Sequence, residues 1–250
     1  LALAEGACRD YNDQHLTDVL QEEYQLQVSR ASVRRIRRSV GLASPHKYRR
    51  RKGHLRRERY PQFGMLFQID ASHHAWLEDR GPRLALVAAI DDATNQVVGA
   101  LFRPHEDAAG YFLLLQDIAQ RVGVPLAVYA DRHTIFQSPR QPTLEQELAG
   151  ITPQSQFGQL TSRLNVRLIA AHSPQAKGRI ERLWGTWQDR LVKELRQAGA
   201  CTIEEANQVL TTYLAKHNQR FAIAAQQPGS ACQPLPADGD RQHLFSFHYT

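Results

Sequence analysis

Three acidic residues follow sequence patterns that could place them together around a metal ion. Asp70 ends the run "LFQID", Asp131 ends "AVYAD", and Glu181 lies in a long amphipathic stretch. A carboxylate at the end of a strand faces the crevice where α/β sheets bind ligands. Taken one at a time, each acid has a simpler interpretation, because an Asp at the end of a strand often caps a turn and a Glu on a helix usually faces solvent. Together, three oxygen donors suit Mg²⁺ or Mn²⁺, and two such ions can catalyse phosphoryl transfer.

The elements that must position these acids are predicted from apolar periodicity. Short apolar runs predict strands that end at Asp70 and at Asp131, a hairpin with its turn at residues 91–95, and a strand "VRLIAA". Asp91 and Asp92 are interpreted as residues of that turn. Helices are expected at residues 106–122, 157–164, from a Ser173 cap with Pro174 in its first turn to about Gly199, and at 203–217. Three strands followed by helix–strand units predict a mixed sheet flanked by helices, with an inserted loop at 138–153.

Two short helices precede this region. The first is expected from Asn12 or Asp13 to about Tyr24, and the second from a Ser29 cap to about Val40. The residues predicted to face inward are Leu16, Val19, Leu20, Tyr24, Val33, Ile36 and Val40. Five arginines on the second helix (Arg30, Arg34, Arg35, Arg37 and Arg38) favour a helix-turn-helix, with an arginine-rich surface helix as the alternative. The residues expected to contact DNA are Ser29, Arg30, Ser32, Arg34, Arg35 and Arg38.

The positive charge is concentrated in one segment. Residues 26–59 hold thirteen Lys and Arg and one acid, whereas residues 1–25 carry a net charge of −5 and residues 61–250 a net charge of −1. A block of one sign predicts a polyanionic partner, although a solubilising stretch is the plainer alternative. Residues 43–60 are interpreted as a basic linker along phosphates, with contacts from Lys47, Arg49, Arg50, Arg51, Lys52, Arg56 and Arg57.

Composition excludes several classes of protein. The chain is 42% hydrophobic and 22% charged, which indicates a folded protein. No apolar run approaches eighteen residues and no secretory signal is present, so no membrane partner is expected. Three cysteines are too few and scattered for a disulfide framework or zinc site, which indicates a reducing, cytosolic setting. Because the chain begins with Leu1 and its only methionine is Met65, we expect a fragment of a longer reading frame.

Three motifs resemble those of one enzyme family. The stretches "FQIDAS", "VYADRHTIF" and "HSPQAKGRIERLWGTWQDRL" resemble DDE transposases of bacterial insertion sequences, with the ISNCY group as the nearest match. The resemblance covers about residues 12–220 and implies the RNase H-like catalytic core shared with retroviral integrases. It implies that Asp70, Asp131 and Glu181 hold two Mg²⁺ (or Mn²⁺) ions. The spacing of fifty residues from Asp131 to Glu181 is longer than the usual spacing in integrases, and the additional residues fall in the predicted loop at 138–153.

The resemblance implies a mechanism and partners. One ion, on Asp70 and Asp131, would activate water or a 3′-hydroxyl, and a second, on Asp70 and Glu181, would stabilise the leaving oxygen. Water would cut the transposon end, and the freed 3′-hydroxyl would attack target DNA. The implied partners are double-stranded DNA, as transposon end and target, and further copies of the chain. The implied location is the bacterial cytoplasm, at the nucleoid.

Several alternatives stay open at this point. Lys177, Arg179 and Arg182 flank Glu181 and either contact phosphate or are plain surface charges. The whole chain could be an RNase H-type nuclease, or a non-catalytic DNA-binding protein or repressor derived from a transposase.

The expected fold class is α/β, with an RNase H-like mixed five-stranded sheet flanked by helices and preceded by an all-α helix-turn-helix domain and a basic linker. The expected domains are residues 1–42 (helix-turn-helix), 43–60 (linker), 61–220 (catalytic core) and 221–250 (a tail or the start of a truncated further domain).

Overall fold

The structure is a computed structural model that describes residues 2–6, 8–42, 57–148, 150, 152–170, 177–235 and 244–247. The chain divides into two compact units, Leu1–Leu55 and Arg56–Thr250. In the described residues the helices are α1 Ala2–Glu5, α2 Asp13–Glu22, α3 Arg30–Ser39, α4 Ala108–Arg121, α5 Leu144–Leu148, α6 Gln156–Arg163, α7 Gly178–Gln197 and α8 Ile203–Phe221. The strands are β1 Gln62–Phe63, β2 Phe67–His74, β3 Leu84–Asp91, β4 Val97–Arg103, β5 Ala127–Ala130, β6 Arg167–Ala170 and β7 Gln227–Ser230. None of the helices in this part of the chain is long and apolar enough to cross a membrane.

The N-terminal unit packs α1, α2 and α3 around a small apolar core. Asn12 caps α2, because its side chain accepts a hydrogen bond from the His15 amide at 2.9 Å. Ser29 caps α3 in the same way, from the Ser32 amide at 3.1 Å. The core residues are Ala4, Cys8, Tyr11, Leu16, Val19 and Val33.

The predicted inner faces of these helices are partly wrong. Helix α2 ends at Glu22, and Tyr24 beyond it is exposed. Ile36 and Val40 are exposed as well, whereas Arg37 is only 2% exposed. Its guanidinium binds the backbone carbonyl of Tyr11 at 2.5 Å and lies 3.4 Å from the Asp13 carboxylate. These acceptors compensate the burial of the two terminal nitrogens, although not of Nε, so an arginine takes the inward position expected for an apolar residue.

The C-terminal unit contains the mixed five-stranded sheet that the sequence predicts. Its strand order is β4-β3-β2-β5-β6. The pairs β2–β3 and β3–β4 are antiparallel, whereas β2–β5 and β5–β6 are parallel. With helices on both faces, this is the RNase H-like arrangement.

Side chains alternate between the two faces of the sheet. Val87 and Ala89 of β3 lie in the hydrophobic cluster with α4 and α6, whereas Leu86 and Ala88 lie in the cluster with α7 and α8. The same alternation on β2 places Phe67 and Ile69 in the α4 and α6 cluster. The even-numbered polar residues of β2 (Gln68, Asp70 and Ser72) therefore lie on the face that α7 covers.

Several predicted boundaries differ from the structure. Strand β2 does not end at Asp70 but continues to His74, because β3 pairs with it along its whole length. Helix α7 is described from Gly178 onward, and its predicted start, the cap Ser173 with Pro174, lies outside the described residues. Lys177 is the residue directly before α7. The 138–153 segment contains a short helix, α5, and α8 continues one turn past the predicted end.

The C-terminal residues contact the sheet domain. Strand β7 pairs in parallel with β1, and Gln233 bridges to Val124. Phe245 is buried in the cluster around α4 and α6. The segment for which the sequence predicts a tail or a further domain thus adds to the core of this unit.

Candidate active site

The strand register brings Asp70 and Asp131 to the same level of the sheet. In the parallel pair β2–β5, Gln68 lies opposite Tyr129. Each acid lies two residues further along its own strand, with Asp131 directly after the end of β5. Adjacent parallel strands keep this register, so the two carboxylates become neighbours.

The ammonium group of Lys177 lies between these two carboxylates. Its Nζ is 2.7 Å from Asp70 Oδ1 and 3.7 Å from Asp131 Oδ2. The side chain of Lys177 is only 11% exposed, compared with 19% for Asp70 and 42% for Asp131. The two acids therefore already enclose a cation at a partly solvent-accessible position. Hard divalent cations such as Mg²⁺ and Mn²⁺ prefer this kind of oxygen environment, so the residues fit such an ion.

Helix α7 lies along β2 with a regular match between helix and strand positions. Four helical residues advance about 6 Å. Two strand residues advance about 6.6 Å, nearly the same distance. Three hydrogen bonds follow this spacing: Ile180 N to Gln68 Oε1 at 3.3 Å, Trp184 Nε1 to Asp70 Oδ2 at 2.9 Å, and Gln188 Nε2 to Ser72 Oγ at 3.1 Å. The polar face of β2 thus fixes the position of the helix that carries Glu181.

Glu181 lies on α7 between the two residues that contact Asp70. It comes three residues before Trp184, a spacing that places these two on one side of the helix, and four residues after Lys177, which directly precedes the helix. Its side chain is exposed. Among the described residues, no three His, Cys, Asp or Glu side chains group closely enough to hold a metal ion. The structure therefore brings Asp70 and Asp131 together, and Glu181 does not join them.

One further side chain within electrostatic reach of the carboxylates, Tyr111, had no recognisable signal in the sequence. The hydroxyl of Tyr111 donates a hydrogen bond to Glu106 Oε1 at 2.6 Å. Burial raises the pKa of Tyr111, and the negative charges of Glu106, Asp70 and Asp131 raise it further. Tyr111 therefore stays protonated and remains a donor. In the sequence it is one more apolar residue on the inner face of a helix.

Two of the basic residues before Glu181 are not surface charges. Lys177 binds the carboxylates described above, and Arg179, which is 8% exposed, pairs through Nη1 with Asp92 Oδ1 at 2.9 Å. Burial lowers the pKa of Arg179 to about 10, with further lowering from nearby arginines and an opposing effect of Asp92. Arg182 is exposed. Of the three, only Arg182 lies on the open surface.

The end of the basic linker also contacts Asp92. Arg57 donates a hydrogen bond to the Asp92 carboxylate, and its side chain is 35% exposed. Arg59 Nη1 donates to the backbone carbonyl of Asp92 at 3.2 Å. The other linker residues expected to contact phosphates lie outside the described residues: Lys47, Arg49, Arg50, Arg51, Lys52 and Arg56.

The exposed side of α3 forms a basic surface in the N-terminal unit. A surface depression of about 620 Å³ is lined by Arg30, Ala31, Arg34, Arg35 and Arg38. The hydroxyl groups of Ser29 and Ser32 lie 3.0 Å apart and hydrogen-bond to each other at the start of the helix. The Ser29 hydroxyl is thus already used as a helix cap.

The chain is similar in sequence to transposases of bacterial insertion sequences. It is 35% identical over 243 residues to the putative transposase y4bF of Sinorhizobium fredii, covering 96% of this chain and 51% of the relative. It is 31% identical over 239 residues to the transposase for insertion sequence IS1202 of Streptococcus pneumoniae, covering 83% of this chain and 50% of the relative. The chain thus spans about half the length of these curated relatives. No protein-family model matches it.

Solved structures with a similar chain course include retroviral integrases. The HTLV-2 integrase catalytic core domain in complex with magnesium aligns with 74% of this chain and 98% of its own, at 15% identity and a TM-score of 0.47. The simian T-cell lymphotropic virus intasome in complex with PP2A regulatory subunit B56 gamma aligns with 88% of this chain and 67% of that chain, at 17% identity and a TM-score of 0.48. The relation to transposases rests on the sequence relatives.

Proposed function

We propose that this chain is the DNA-binding and catalytic part of an insertion-sequence transposase. It cleaves transposon-end DNA in a metal-dependent reaction and transfers the 3′-hydroxyl into target DNA. One observation carries the proposal: Asp70 and Asp131 enclose a cation on adjacent parallel strands, and the helix bearing Glu181 is hydrogen-bonded to the strand of Asp70. The sequence relatives, both transposases, support it.

Two Mg²⁺ or Mn²⁺ ions would be held by Asp70, Asp131 and Glu181, with Asp70 shared. When bound, such ions lower the pKa of the attacking hydroxyl and neutralise the developing charge of an in-line phosphoryl transfer. The chain's own residues prepare this site. Trp184 orients Asp70, and Tyr111, whose hydroxyl donates to Glu106, lies within electrostatic reach of Asp70 and Asp131.

Lys177, which pairs with Asp70 and Asp131, has a second role when another cation balances the charge of these carboxylates. Its ammonium group, released from Asp70, becomes available to a DNA phosphate at the site. Arg182, on the exposed side of the same helix, supplies a second positive charge there. Phosphate contacts of this kind position DNA without selecting its sequence.

DNA binding involves the remaining proposed parts of the chain. Residues 1–42 act as a helix-turn-helix whose exposed α3 arginines and Ser32 face the DNA, with residues 43–60 as the basic linker along phosphates. Residues 61–220 form the catalytic core, and 221–250 extend it. The partners are transposon-end and target DNA and further copies of the chain, which would act in the cytoplasm at the nucleoid.

The experiment that tests this function separates binding from chemistry. Asp70→Asn, Asp131→Asn and Glu181→Gln should each reduce cleavage and strand transfer on end DNA with Mg²⁺ to background, while DNA affinity changes little. Asp117→Asn is the control, since Asp117 pairs with Arg121 on the outer side of α4. Full activity in any of the three variants removes that residue from the site.

One observation favours a second function. Lys177 pairs with Asp70 and lies 3.7 Å from Asp131, and Glu181 does not join them, as would suit a non-catalytic DNA-binding protein or repressor. A wild-type chain that binds end DNA but never cleaves it would establish this alternative. Cleavage without strand transfer would instead indicate an RNase H-type nuclease.

A further inference from the structure

Asp92, the residue after β3, is a buried junction between separate parts of the C-terminal unit. Its side chain is fully buried, with 0% exposure. The carboxylate has four partners: Arg57 Nη2, the Tyr60 amide at 2.9 Å, Gln68 Nε2 at 2.8 Å and Arg179 Nη1 at 2.9 Å. These partners belong to the end of the basic linker, the strand of Asp70 and the start of α7.

The hairpin turn does not account for these contacts. The neighbouring Asp91 is equally buried, and its carboxylate accepts hydrogen bonds from the Thr94 amide at 2.8 Å, the Thr94 hydroxyl at 2.7 Å and the Gly64 amide at 3.1 Å. Asp91 therefore closes the turn. Asp92 is also in the turn, as the sequence predicts, but its carboxylate connects the end of the linker to the start of α7.

Asp92 acts on the start of α7 by two routes. It pairs directly with Arg179, two residues before Glu181. It also holds the side-chain amide of Gln68, whose Oε1 accepts a hydrogen bond from the Ile180 amide at 3.3 Å. Ile180 is adjacent to Glu181. Because a helix N-terminus has amides without intrahelical partners, such an external acceptor fixes where the helix begins.

The junction carries more positive than negative charge. Arg57 and Arg179 share the single carboxylate of Asp92, and Arg59 binds the backbone carbonyls of Asp92 and Ala93. Nε of Arg179 is buried without an acceptor in the described part of the chain. Arg57 and Arg59 are accessible enough to contact a phosphate, while Arg179 lies inside. Binding of DNA by Arg57 and Arg59 would therefore alter how Asp92 contacts Arg179.

We propose that Asp92 is a positioning residue that holds the start of α7, and with it Glu181, and couples that position to DNA contact by Arg57 and Arg59. The inference rests on the proposed function in taking Glu181 as a metal ligand. It also rests on that function in taking Arg57 and Arg59 as DNA contacts, whereas the hold of Asp92 on α7 depends only on contacts within the C-terminal unit. It can be measured without metal and without catalysis.

The test compares Asp92→Asn with Asp91→Asn in the full chain. Hydrogen–deuterium exchange of residues 178–184 should be faster in Asp92→Asn and unchanged in Asp91→Asn. End DNA should slow this exchange in the wild type but not in Asp92→Asn. At saturating DNA, Asp92→Asn should cleave about 10–100-fold more slowly, as for other supports of metal ligands. Its affinity for DNA should stay near that of the wild type.

Three outcomes would overturn the proposal: unchanged exchange in Asp92→Asn, equal effects of the two variants, or equal protection by DNA in the wild type and Asp92→Asn. If Asp92→Asn does not fold, Gln68→Met removes the second route to α7 without removing a charge. It should still speed exchange at Ile180, whereas Ser72→Ala, at the far end of the same contact row, should not. A wild type that shows the coupling but no cleavage would refute the proposed function alone.

Discussion

The indole nitrogen of Trp184 donates a hydrogen bond to Oδ2 of Asp70 at 2.9 Å, while the ammonium group of Lys177 binds Oδ1 of the same carboxylate at 2.7 Å. Both oxygens of Asp70 are thus held by residues at or near the start of one helix, two turns apart. A carboxylate held on both sides has a fixed orientation. The side chain that the proposed reaction depends on most is therefore oriented before DNA arrives.

Replacement of Trp184 by phenylalanine should weaken the site without unfolding it. The change keeps an aromatic ring beside Trp187 but removes the donor to Asp70. Loss of a hydrogen bond that orients a metal ligand typically costs about 10–100-fold in metal affinity or activity. The measurement is the Mg²⁺ dependence of end cleavage. Trp187→Phe is the matched control, because its indole binds His217 instead, and an equal loss in both variants would contradict the role given to Trp184.

Replacement of Lys177 by methionine should raise the affinity of the DNA-free chain for Mn²⁺. The ammonium group lies between the two carboxylates that are proposed to hold a metal ion, so its removal would end a competition between two cations. Because one positive charge a few ångström away is removed, we expect an increase of about tenfold. Calorimetric titration measures it. Lys193→Met, which breaks a buried pair with Asp189 on the same helix, should leave the affinity unchanged. If Lys177→Met also leaves it unchanged, the lysine does not act as a stand-in for metal.

The arginines of α3 should separate into two kinds. Arg34→Gln should weaken binding to end DNA and reduce the salt dependence by about one unit of slope if Arg34 contacts a phosphate, with no change in melting temperature. Arg37→Met should instead lower the melting temperature of the N-terminal unit, because Arg37 is buried against Tyr11 and Asp13. Fluorescence anisotropy over a range of salt concentrations measures the first effect. Equal behaviour of the two variants in both assays would contradict the division.

Acid should destabilise the C-terminal unit through His217. Burial lowers the pKa of this imidazole to about 4, with a smaller contribution from Arg190. In the unfolded chain this imidazole is protonated below about pH 6.5, whereas in the folded protein it is protonated only below about pH 4. The stabilising contribution of the neutral imidazole is therefore complete above pH 6.5 and is lost as the pH falls from 6.5 to 4. The loss is of the order of 3 kcal/mol. Melting temperatures between pH 4 and 7 should fall less steeply for His217→Gln, and parallel curves would show that another group is responsible.

The strands and their acids could be predicted from the sequence because local patterns determine them. Apolar runs of strand length end at or contain Asp70 and Asp131, and their parallel pairing follows from the order of elements. The contacts of Lys177 with Asp70 and of Arg179 with Asp92 could not be predicted. They join charges more than eighty residues apart, and one sequence does not show which opposite charges meet.

Arg37 shows that prediction from sequence has the same limit within a single helix. Periodicity favoured Ile36 and Val40 as the inward residues because they are apolar. The arginine is buried instead because the backbone carbonyls of Arg9 and Tyr11, in the segment before α2, are available to bind it. A pattern of apolar residues carries no information about such acceptors.

The match between α7 and β2 has a consequence for how this chain can change over time. Each residue inserted into or deleted from an α-helix rotates everything beyond it by about 100°. A change of one residue between Ile180 and Gln188 would therefore turn part of the helix away from the strand and break the row of contacts at Gln68, Asp70 and Ser72. Side chains on the outer surface of α7 can be exchanged freely, but the number of residues in this stretch is fixed. Natural variation here should consist of substitutions, with length differences confined to the loops on either side.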